Sequence, residues 1–80
     1  MGNNKLNNNK LDKKKIGKIV ENIRNSNKLT KKEFSNLCDI NILKLSLIER
    51  GILLPTLKMI IILCNVFKIS SESFLVYLEK

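Results

Sequence analysis

Eighty residues make one domain at most, and a globule of that size buries only roughly 60% of the surface its unfolded chain exposes, so its stability is modest. Fifteen Lys and Arg against seven Asp and Glu leave a net charge of +8, which points to a polyanionic partner, nucleic acid before an anionic membrane surface. The chain has no histidine, no glycine-rich phosphate loop, and no Cys, Ser or carboxylate cluster at ligand or triad spacing, which argues against an enzyme, a metal site, a cofactor or a small-molecule substrate.

Residues 1–14 hold only Met1, Leu6 and Leu11 among Asn, Lys, Gly and Asp, and read as a basic, Asn/Lys-rich disordered tail ahead of a domain spanning 15–80. Such a tail either attracts a polyanion or merely solubilises the chain, its composition reflecting AT-rich coding. Both readings stay open for the tail alone; the tail, first helix and start of the second together concentrate the positive charge, since residues 1–32 carry ten Lys or Arg against Asp12 and Glu21, whereas residues 33–80 are neutral overall. Over 13–25, Ile16, Ile19, Val20 and Ile23 recur at helical spacing and form the apolar stripe of a first helix.

A second helix, about 30–38, starts at a capping box made of Thr30 and Glu33, with Leu29 and Phe34 as the flanking hydrophobic staple. Phe34, Leu37 and Cys38 are its expected inward face. Asp39 tolerates the left-handed backbone and is placed to stop it sharply. Asn41 is a good N-cap for a third helix over about 41–50, with Leu45 and Ile48 turned inward and Gly51 as its stop. Pro55 and Thr56 introduce a fourth helix at 57–67, in which Leu57, Ile60, Ile61, Leu63, Cys64 and Phe67 are available for the core. Ser70 caps a fifth, with Phe74, Leu75 and Leu78 at helical spacing. No stretch alternates long enough for a strand, so the predicted class is all-α, a compact five-helix domain.

Cys38 and Cys64 stand 26 residues apart without the spacing of a zinc or redox pair, and are expected to be reduced core hydrophobes of a cytoplasmic protein. The opening residues have no apolar signal core, and the longest apolar run, 59–64, is far too short for a membrane span.

Taken in order, these segments resemble the lambda-repressor and Cro-like (Xre) helix-turn-helix family over residues 16–75. IGKIVENIR resembles the family's first helix, LTKKEFSNLCDI its second helix and turn, and NILKLSLIERG its third helix. Pro55, LCNVFKIS and Phe74-Leu75 are similar to the closing pair of helices. The resemblance implies a buried or half-buried ion pair between Arg24 and Glu49, and a small residue, Ser35, where the second helix meets its neighbour. It also implies double-stranded DNA as the partner, a transcriptional regulator as the function and a homodimer as the assembly. The third helix would lie in the major groove, and Lys31 and Lys32, at the start of the second helix, would hold phosphate. Lys18, with Lys13, Lys14 and Lys15, could follow the DNA backbone. Each of these lysines alone could equally be a solvated surface charge.

At the base-facing positions the family commonly has polar residues, whereas this chain has Ile42, Leu43, Lys44 and Leu47 after Asn41. Apolar side chains there can only touch thymine methyl groups. The loop that usually grips a phosphate is Ile52-Leu53-Leu54, and Ile62 replaces a more usual charged residue on the fourth helix. Two explanations are open. Leu43, Leu47, Ile52, Leu53, Leu54, Ile62 and Tyr77 could form a surface for a protein partner or a second copy, or the leucines could join an enlarged core. The alternative function is therefore a helix-turn-helix fold used as a protein-interaction module.

Overall fold

The computed structural model describes residues 12–70 and 72–74. They form four helices, α1 (Lys13–Ser26), α2 (Lys31–Cys38), α3 (Ile42–Glu49) and α4 (Leu57–Phe67), followed by a helical turn at 72–74. The all-α class holds for the described residues, which contain no strand.

Helix α1 begins earlier than the expected boundary between tail and domain. The Asp12 carboxylate accepts hydrogen bonds from the Lys14 and Lys15 backbone N–H groups at 3.0 and 3.2 Å. Asp12 thus caps a first turn made entirely of lysines, whose charges oppose the positive end of the helix dipole. Residues 13 and 14 therefore belong to the domain; the rest of the predicted tail lies outside the described residues. The stripe of Ile16, Ile19, Val20 and Ile23 is buried, as its spacing predicts.

The remaining starts follow the predicted caps. Thr30 and Glu33 form the reciprocal capping box of α2, Asn41 caps α3, and Thr56 caps α4. Ser70 accepts from the Ser73 N–H at 3.0 Å and opens the last helical turn, in which Phe74 is buried. Leu75 and Leu78, the other expected core residues of this segment, lie outside the described residues.

The stops are less regular in sequence than in geometry. Each helix ends on a residue of positive φ: Lys28 (56°), Asp39 (54°), Gly51 (77°) and Lys68 (56°). After α1, α3 and α4 this residue and the next donate back to helix carbonyls in the paired pattern of a Schellman stop, as in Leu29 N–H to Arg24 O at 3.1 Å and Lys28 N–H to Asn25 O at 2.9 Å. Only one of the four positions is a glycine, the residue that adopts this conformation without steric cost.

Packing centres on Phe34, Ile16, Leu45, Ile48 and Cys38, all essentially inaccessible to water. α1 lies against α3, and α2 against both α3 and α4. Between α2 and α4 the rings of Phe34 and Phe67 stack with centroids 5.4 Å apart. Three expected core residues face outward instead: Leu37, Leu57 and Ile61 are 54, 73 and 51% exposed. Helical spacing makes each available for burial, but in the fold that part of the helix surface is left open to water.

Ser35 is buried and small as expected, its hydroxyl without a hydrogen-bond partner among the described residues. A close backbone-to-backbone helix crossing falls elsewhere, at Gly17 of α1. A methyl group built there would collide with the Ile48 carbonyl oxygen and lie 3.1 Å from that of Glu49. Glycine is required because backbone meets backbone, and neither side can yield by a rotamer change.

Candidate nucleic-acid interface

The exposed side of α3 is set by what fixes its other side. Leu45 and Ile48 are buried, and Ile40, just before the helix, anchors the turn in the core. Between α2 and α3 the chain reverses over Asp39, Ile40 and Asn41, where the left-handed Asp39 ends α2 and the Asn41 side chain starts α3. The Asn41 Oδ1 accepts from the Leu43 and Lys44 N–H groups at 2.8 and 3.3 Å.

At its far end α3 is held by charge. The Arg24 guanidinium makes two bonds to the Glu49 carboxylate, Nε to Oε2 at 2.7 Å and Nη2 to Oε1 at 3.0 Å, and a third from Nη1 to the Leu29 carbonyl oxygen at 2.9 Å. The two side chains are 12 and 3% exposed. The Glu49 hydrogen bonds push the Arg24 pKa above its ordinary value, and burial only partly opposes them. The pair expected between the first and third helices is thus present, and through Leu29 it also fixes the link into α2.

With that side fixed, residues 41–44 are all exposed. Leu43 is 72% and Ile42 41% exposed, and Lys44 is also open to water. Ser46 and Leu47 are half-buried. Arg50, a residue the sequence reading passed over, caps α3 and is exposed; it lies on the Leu43 and Leu47 face, since positions separated by three, four and seven residues share one side of a helix.

The segment after α3 divides. Ile52 is 51% exposed, and its N–H donates to the Leu47 carbonyl, which keeps it beside the outward face of α3. Leu53 and Leu54, expected to belong to the same apolar strip, are half-buried against the core, and so is Ile62 of α4. Apolar loop residues next to an incomplete core are drawn into it, so the exposed apolar patch is smaller than the sequence suggests. Tyr77 lies outside the described residues.

The helices packed against α3 carry basic side chains. Lys31 is half-buried and Lys32 exposed at the start of α2, and Lys18 is exposed on α1. Lys14 sits against the turn that ends α3: a side chain built at Gly51 would meet its Cγ at 2.8 Å. The lysine-rich first turn of α1 is thereby placed beside Arg50. Away from this face, a groove of about 370 Å³ runs between the ends of α1 and α4, lined by Ile19, Asn22, Ile23, Ser26, Asn27, Phe67 and Ile69, with no ionisable group. No group of three His, Cys, Asp or Glu that could hold a metal ion occurs among the described residues, and no described helix is long and apolar enough to cross a membrane. The chain matches no protein-family model and no curated protein sequence.

Proposed function

We propose that the chain is a sequence-specific, double-stranded DNA-binding transcriptional regulator of the lambda-repressor and Cro-like type, with α2 and α3 as its helix-turn-helix and α3 as the helix that enters the major groove. The observation that carries this reading is the exposure of residues 41–44, the first turn of α3 and its cap, while Leu45, Ile48 and Glu49 hold the opposite side rigidly to α1. A helix presented by its N-terminal turn from a fixed base is what groove entry needs. Lys14, Lys18, Lys31, Lys32, Lys44 and Arg50 supply charge for phosphates on either side.

Fluorescence anisotropy with labelled duplexes across a salt series tests it. The affinity falls linearly with salt on logarithmic axes, by about 0.9 in slope for each phosphate neutralised. Lys18→Ala and Lys32→Ala each lower that slope by roughly 1 without changing which sequences are preferred. A selected site binds at least about a thousandfold more tightly than random duplex. Salt-insensitive binding, or equal affinity for every sequence, removes the proposal.

A second reading has its own observation: Leu43 and Ile52 are large, apolar and more than half exposed, which suits a protein-interaction module. The variant Leu43→Asp with Ile52→Asp separates the two, because neither side chain is needed by the core. Loss of self-association or of partner capture, with helicity and duplex binding unchanged, would favour this second use.

A further inference from the structure

Apart from Lys44 and Arg50, the α3 face has little with which to read hydrogen-bonding base edges. Leu43, 72% exposed, and its neighbour Ile42 have no polar side-chain atom. Asn41, the residue best suited to pair with an adenine edge, uses its carbonyl oxygen to cap the helix. Lys44 can reach a base edge or a phosphate but discriminates as a single point of charge. In the major groove the one feature that an aliphatic side chain recognises is the thymine C5 methyl group.

We infer that the duplex this face selects is recognised through thymine methyl groups, contacted by Ile42 and Leu43 at the N-terminal turn of α3 with Leu47 and Ile52 closing the apolar surface behind them. The inference rests on the DNA-binding reading above and specifies its ligand. Duplex DNA is favoured over an apolar protein partner because basic groups border the patch at several points, with Lys44 within it, Arg50 at its end and Lys14 against the adjoining turn. Flanking charge holds the phosphates while the aliphatic strip lies over the methyl row between them.

The experiment selects binding duplexes from a randomised pool, then compares each enriched duplex with a copy in which every thymine is replaced by uracil. That exchange removes the methyl group and leaves the pairing edge unchanged. Burial of one methyl is worth about fourfold in affinity, so two or more contacted methyls give a loss of roughly tenfold or greater on going to uracil. Leu43→Ala reduces the thymine-to-uracil ratio towards one while keeping the salt slope of the full chain, which a merely structural role for Leu43 would not do. Selection of a site bound equally in both forms overturns the inference and leaves DNA binding standing. A pool from which no duplex is enriched overturns both. A Leu43→Asp chain that changes from dimer to monomer, with the thymine preference intact, also overturns the inference, since the face is then covered by a second copy.

Discussion

Arg24 makes three hydrogen bonds to two neighbours with one guanidinium, and its removal strands Glu49, whose side chain is almost wholly buried. Arg24→Ala or Glu49→Ala should each cost about 3–5 kcal/mol, whereas Arg24→Met combined with Glu49→Leu should recover most of that, because a well-packed apolar pair carries no desolvation penalty. Urea unfolding of the two single variants and the double variant measures the difference. The two thiols give a pH dependence. Burial raises the pKa of both Cys38 and Cys64 above the ordinary value of 9.0, so the folded state keeps them protonated where the unfolded chain would ionise. Their contribution is complete below that value and is lost as pH rises above it. Thermal melts from pH 7 to 11 should therefore show an alkaline decline that is shallower in a variant with Cys38→Ala and Cys64→Ala. If the two profiles fall in parallel, the thiols have no part in it.

At the scale of the helix, the starts after α1 were legible in the sequence, the Asp12 cap of α1 was not, and the stops were only partly so. Thr30 with Glu33, Asn41 and Ser70 announce themselves because a side-chain oxygen followed by an apolar run has few other uses. Asp39 and Gly51 could be read as stops, but Lys28 and Lys68 could not, since nothing in a lysine favours positive φ. Helical spacing also said which residues of α2 and α4 were available for burial, not where the next helix would lie, and this is why Leu37, Leu57 and Ile61 emerge exposed. Gly17 was silent for a related reason: within a helix, glycine reads as a loss of propensity until a crossing backbone is known. Gly17→Ala should destabilise by roughly 1–3 kcal/mol despite the better helix propensity of alanine, an effect opposite in sign to the usual one and measurable by denaturant midpoint. Lys28→Gly and Lys68→Gly should each stabilise by up to about 1 kcal/mol, less whatever a lysine gains beside the negative end of the helix dipole.

For the molecule as a whole, the described residues 12–32 carry eight Lys or Arg against Asp12 and Glu21 whereas residues 33–80 are neutral, so folding concentrates like charges around α1 and the start of α2. Raising salt from about 0.05 to 0.5 M shortens the range of that repulsion to a few ångströms and should raise the melting temperature of the free chain. The same change should weaken any complex with duplex DNA, so opposite responses of stability and affinity to one variable are expected. A melting temperature that falls steadily with salt would mean that attractive pairs outweigh the repulsion. The left-handed helix ends act at this scale too. A chain of eighty residues has little stability to lose. Two of its four stops, Lys28 and Lys68, are occupied by residues that resist the conformation they hold, so the chain keeps a latent margin: a single change to glycine at either can compensate for a harmful change elsewhere. Drift in the outward residues of α3, and with it the acquisition of new recognition preferences, is correspondingly less constrained.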